Sequence, residues 1–261
     1  MLTHQTAEKL RAMRLPAMAA ELVRQTESPA MDTLDFGERI GMLVDAEWTS
    51  RENNRIKKLT AAAKLRDPDA CLANLDYRPS RKLDRAYLAR LSDLAWIRDA
   101  KNIIFTGCTG TGKTYLANAF GVEACRKGLH VAYYRVNRLT GELAATADAG
   151  GLHKLLARLK KTELLILDDW GLTSLNPLEG RLLLEVFEDR YNERSTIIAA
   201  QLPVSAWHGL FEDSTVADAI LDRVVHNSYR FELQGPSMRS SASTVDECAP
   251  RDQSEVIAAT E

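Results

Sequence analysis

At 261 residues, 45% hydrophobic and 27% charged with a net charge of −2, the chain has the make-up of one large folded domain plus a small one. No run of about 18 apolar residues is present, so no helical membrane span is expected. The opening "MLTHQTAEKLRAMR" lacks an apolar signal core, which predicts a cytoplasmic protein. Cys71, Cys108, Cys125 and Cys248 never fall at paired spacing, which argues against a zinc site and a redox pair.

Residues 1–75 read as a small all-helical N-terminal domain. "TAEKLRAMRL" is a short amphipathic segment stopped by Pro16, "AMAAELVRQ" starts a second helix, and Phe36, Ile40, Leu43, Val44 and Trp48 recur at helical steps. That pattern weakens toward Leu65. Pro68 and Pro79 bracket a break, and residues 76–101 read as a connector with a short helix. Charge is concentrated here: residues 51–101 hold 13 Lys+Arg against 7 Asp+Glu, while the blocks on either side are acidic. Arg51, Arg55 and Lys58 fall on one helical face, with Lys57 and Lys64 nearby and Arg81 and Lys82 in the connector. Such a block suits sequence-independent contacts to the phosphates of double-stranded DNA.

From residue 102 to 239 the pattern changes. "NIIFTG", "HVAYYRV", "ELLILDD", "STIIAAQ" and "SYRFEL" are strand-like, and the segments between them suit helices, for example 113–127 and 177–194. Asn176-Pro177 marks the start of the latter, with Asn as cap and Pro in the first turn. Strand–helix alternation predicts an α/β fold, a five-stranded parallel sheet flanked by helices. Arg135 and Arg138 follow the second strand and are further candidates for DNA contact. Residues 240–261 are small, acidic and aperiodic, and predict a disordered tail with no room for a full C-terminal helical lid.

Chemistry is concentrated at "FTGCTGTGKT", residues 105–114. Gly107, Gly112, Lys113 and Thr114 fit G-x-x-x-x-G-K-[ST] between an apolar strand and a helix. Glycines let the chain curl so that backbone N–H groups point at phosphates, and the next helix offers its N-terminus to the anion. Gly107, Cys108, Thr109, Gly110, Thr111, Gly112, Lys113, Thr114 and the following Tyr115 are therefore expected to contact ATP, with the Thr114 hydroxyl on Mg²⁺. "ELLILDD" ends an apolar strand in two acids. Asp168 is expected on Mg²⁺, and Asp169 is expected to orient and activate the attacking water. Gln201, at the end of another apolar strand, is placed to sense the terminal phosphate. Arg223, on a predicted helix, is placed to reach a neighbouring subunit's nucleotide as an arginine finger.

The blocks "GCTGTGKTYLANAFGVEACRKG", "LLILDDWG", "RYNERSTIIAAQLPVSAWH", "ADAILDRVVHNSYRFEL" and "GPSMR" resemble the IstB-like branch of AAA+ ATPases, helper proteins of insertion-sequence transposition and relatives of the DnaC helicase loaders. The resemblance spans roughly residues 1–240. It implies a P-loop NTPase core whose phosphate-loop strand lies between the fourth and fifth strands. It further implies ATP-dependent self-assembly into a ring or spiral on duplex DNA and recruitment or stimulation of a transposase. Gln201 would stand near the sensor 1 position, Arg223 would be the arginine finger, and Arg239 would be sensor 2-like. Asp169 departs from the Glu usual in the superfamily, which predicts slow hydrolysis stimulated by DNA and oligomerisation. A DnaC-like helicase loader is the alternative. A small-molecule P-loop kinase is disfavoured, because no arginine-rich lid is visible.

Overall fold

A computed structural model describes residues 2–238. The expected tail and Arg239 lie outside them. Three helices open the chain: α1 (Leu2–Ala12), α2 (Pro16–Glu27) and the 28-residue α3 (Phe36–Ala63). Pro16 starts α2 rather than only ending α1, as its missing N–H permits at a first turn. The free N–H groups of Ala17 and Met18 are capped from another helix, by the Glu47 carboxylate at 3.0 and 3.1 Å. Asp35 and Glu38 form a capping box that fixes the start of α3. That helix ends at Ala63, where Lys64 turns left-handed (φ 53°). The expected period was helical, yet Phe36, Ile40, Val44 and Trp48 are exposed. Leu43 and Glu47 supply the buried face instead.

Two short helices, α4 (Arg85–Leu91) and α5 (Ala95–Arg98), lead into the sheet. Then follow β1 (Asn102–Gly107), α6 (Lys113–Arg126), β2 (Val131–Arg135), α7 (Val136–Asp148), α8 (Leu152–Lys161), β3 (Leu164–Trp170), α9 (Pro177–Arg190), β4 (Ser195–Ala200), α10 (Ser214–Val225) and β5 (Ser228–Leu233). All five strands pair in parallel, in the order β2-β3-β4-β1-β5. The phosphate-loop strand thus lies between the fourth and fifth, as expected. Asn176 accepts from Leu178 and Glu179 N–H and Pro177 occupies the first turn of α9, so that signal read true at the start. The helix ends four residues earlier than expected, before Asn192 adopts a left-handed conformation (φ 56°).

Alternation along the strands divides the core. Ile104, Leu165, Leu167 and Ile198 face a layer built from α7–α10. Ile103, Phe105, Leu164, Ile166 and Ile197 face α6, α4, α5 and the end of α3. Arg190 is buried, 2% exposed. Its guanidinium donates to the Leu159, Thr162 and Ser195 carbonyls and to Thr196 Oγ1. It therefore ties together the end of α8, the approach to β3 and the start of β4. Burial pulls its pKa down to about 9.

Candidate nucleotide site

Parallel strands collect their C-terminal ends at one edge of the sheet, the place where open α/β folds bind ligands. The loop between β1 and α6 lies at that edge, beside the ends of β3 and β4. Together they line a cavity of about 460 Å³ whose wall includes Thr109, Gly110, Lys113, Thr114, Asp168, Asp169 and Gln201. The loop glycines are required by what presses on the loop from outside. Gly107 sits at φ 139°, and a Cβ there would lie 2.1 Å from the Leu233 carbonyl oxygen. Gly112 sits at φ 89°, and a Cβ would lie 2.6 Å from Arg81 Nη2.

Within the cavity Lys113 Nζ donates to the Gly107 and Cys108 carbonyls, both at 2.7 Å, so its ammonium stays inside the loop. Thr114 Oγ1 lies 3.0 Å from both carboxylate oxygens of Asp168, across the gap between α6 and β3. Tyr133 on β2 donates to Asp168 Oδ2 at 2.7 Å. Burial, and then the adjacent carboxylate, push the Tyr133 phenol well above its ordinary pKa, so it remains a donor. A hydroxyl beside a carboxylate is the hard oxygen donor set that suits Mg²⁺, which needs few protein ligands when phosphates supply others. No cluster of three or more His, Cys, Asp or Glu side chains suited to a metal occurs among the described residues.

Asp169 is left-handed (φ 58°), at an irregularity in the β3–β4 register between Leu167 and Trp170. The kink turns its carboxylate out of the strand's alternation toward Arg135, whose Nε is 3.4 Å from Oδ2. Gln201 Oε1 accepts from Thr109 Oγ1 at 2.9 Å, linking the end of β4 to the loop. Tyr115 lines the cavity, but its hydroxyl is tied to the Cys71 backbone.

Arg223 stands elsewhere. It donates to the Ala219 carbonyl and pairs with Glu188 at 3.0 Å. Its neighbour Val224 accepts from Asn102, the first residue of β1, whereas the phosphate loop begins at the strand's far end. At about 3.3 Å per residue that is roughly 17 Å of strand. Its own nucleotide site is out of reach.

The expected DNA contacts differ in exposure. Arg81 is 5% exposed and donates to the Asp76 and Thr111 carbonyls at 2.7 Å, so it braces the phosphate loop from behind rather than facing solvent. Arg135 is half-exposed, its Nε 3.4 Å from Asp169 Oδ2. Arg51 and Arg55 do share a face with Lys58, but that face lines a crevice against Gly128 and His130. Arg51 pairs with Glu47 at 2.8 Å, and Arg55 donates to the Gly128 carbonyl at 3.3 Å. Lys57, Lys58, Lys64, Lys82 and Arg138 are exposed.

One site residue was not singled out from the sequence. Arg66 reaches the cavity from just beyond α3, its Nη1 3.9 Å from Asp168 Oδ2. No local motif marks it, since it is a single basic residue among 13 in its block. Only the fold brings it beside a residue 102 positions away.

The parallel order, the phosphate loop and the acids ending β3 define a P-loop ATP-binding protein of AAA+ fold. Solved structures share this architecture: AMPPCP-bound DnaA from Aquifex aeolicus (TM-score 0.54, 21% identity, covering 67% of this chain and 53% of that one) and the DnaC helicase loader (0.51, 23%, 64% and 97%). The chain belongs to the IstB-like ATP binding protein family, which matches residues 7–245. A Sinorhizobium fredii protein named as an insertion sequence ATP-binding protein is 44% identical over 92% of this chain and 97% of its own length. The Pseudomonas fluorescens protein named for insertion sequence IS1162 is 42% identical over 78% and 89%.

Proposed function

We propose that the chain is an ATPase that self-assembles on double-stranded DNA in the presence of ATP and Mg²⁺, and recruits or stimulates a transposase during DNA transposition. The observation that carries this reading is the phosphate loop meeting Thr114–Asp168 and Asp169 at one sheet edge, in a chain whose relatives are named for insertion sequences. The loop N–H groups and Lys113 bind the triphosphate, the ammonium exchanging loop carbonyls for phosphate oxygens. Thr114 and Asp168 would hold Mg²⁺, which would supply neutralisation of the phosphate charge. Asp169 accepts the proton of the attacking water, and Gln201 and Thr109 hold the polar edge beside it. Arg223 completes the site of a neighbouring copy, a role supported by its position at the opposite end of the strand. Lys57, Lys58, Lys64, Lys82 and Arg138 provide exposed charge for DNA phosphates. No helix among the described residues is long and apolar enough to cross a membrane.

The test is ATPase rate and sedimentation, with and without duplex DNA. Hydrolysis is expected to rise with DNA, and a large species to form only when DNA and ATP are both present. DNA affinity is expected to fall steeply with salt. A monomer indifferent to DNA would overturn the reading. Capture of a hexameric helicase in place of a transposase would redirect it to helicase loading.

A further inference from the structure

The segment that joins α3 to the rest of the chain has a fixed base and a loose tip. Leu65 is buried against Gly121 of α6, where an added Cβ would come within 2.9 Å of Leu65 Cδ2. Asp67 N–H donates to Asn118 Oδ1 at 3.2 Å, and Asn118 Nδ2 donates to the Thr114 carbonyl at 2.6 Å. The backbone on both sides of Arg66 is thus pinned to the helix that follows the phosphate loop. The Arg66 side chain is not pinned. It is 41% exposed, and its one ion pair, at 3.9 Å to Asp168, is longer than a hydrogen bond.

We propose that Arg66 is a phosphate-reading arm: its guanidinium faces Asp168 while no triphosphate is bound and moves to the terminal phosphate when ATP and Mg²⁺ bind. The inference rests on the nucleotide-binding reading above and adds a residue to it. In the structure Asp168 is 2% exposed and Arg66 is the cation nearest to it, so the guanidinium neutralises a buried carboxylate at long range. A divalent cation held by Thr114 and Asp168 takes over that neutralisation and repels a guanidinium a few ångströms away. The terminal phosphate offers anionic oxygens in the same cavity, and the planar fork of arginine fits them in pairs. ADP lacks the third phosphate, so the arm has nothing to reach at that position. Arg66 lies three residues past Ala63, the last residue of α3.

Equilibrium titration with fluorescent N-methylanthraniloyl ATP and ADP, both with Mg²⁺, separates this from a merely structural role. Arg66→Ala is expected to weaken ATP binding about tenfold and ADP binding less than about twofold, the size of one charge-assisted contact. Arg66→Gln, which keeps the stem and loses the charge, is expected to give the same split. Equal weakening of both nucleotides, or no change in either, would overturn the proposal. Lys113→Ala checks the underlying reading separately: it is expected to lose both nucleotides, and wild-type binding by that variant would remove the nucleotide site itself.

Discussion

Asp169→Asn is expected to bind ATP within about twofold of the wild type and to hydrolyse it at least about a hundredfold more slowly, the scale of a lost general base. The backbone makes this substitution unusually clean. Asp169 is left-handed (φ 58°), a conformation asparagine tolerates as well as aspartate and most other residues do not. Asparagine keeps the kink in β3 and removes only the proton acceptor and the partner of Arg135. Alanine at this position would mix lost chemistry with backbone strain. Single-turnover hydrolysis beside a binding titration is the measurement. Normal hydrolysis by Asp169→Asn would transfer the water-activating role to another group.

The second large effect falls on stability. Arg190→Met keeps the apolar stem but leaves the Leu159, Thr162 and Ser195 carbonyls without their shared donor in the core. Removing one member of a buried polar network typically costs about 3 kcal/mol, which in a chain of this size lowers Tm by roughly 6–12 °C. Arg181 is exposed on the same helix, and Arg181→Met is expected to stay within about 0.5 kcal/mol of the wild type. Thermal unfolding followed by circular dichroism compares the two. Equal shifts in both variants would mean that the Arg190 network does not hold the strands.

Local chemistry is what sequence displays best. The phosphate loop, the acids ending β3 and the Asn176-Pro177 start of α9 each depend on residues adjacent in the chain, and each is found where its pattern puts it. One parallel sheet follows from strand–helix alternation, while its strand order is what the family resemblance implies. What sequence leaves out is where a long side chain ends. Arg81 and Lys82 are neighbours in one basic block, yet the first is buried behind the phosphate loop and the second is exposed. Arg135 looks like a surface cation until the kink at Asp169 brings a carboxylate to it. For Phe36, Ile40, Val44 and Trp48 the period gives the helix correctly. Which face the rest of the chain covers depends on the seat that α2 provides, and Leu43 and Glu47 take it.

The open face of α3 gives the molecule a built-in optical probe. Of its four tryptophans, Trp96, Trp170 and Trp207 are at most 2% exposed, while Trp48 is 72% exposed. Iodide, which cannot enter the core, therefore quenches a single indole, and the red edge of the emission spectrum belongs to that residue. Whatever comes to cover the outer face of α3, whether DNA, a partner protein or another copy, will shield Trp48 and shift its emission to the blue, without any label being added to the chain.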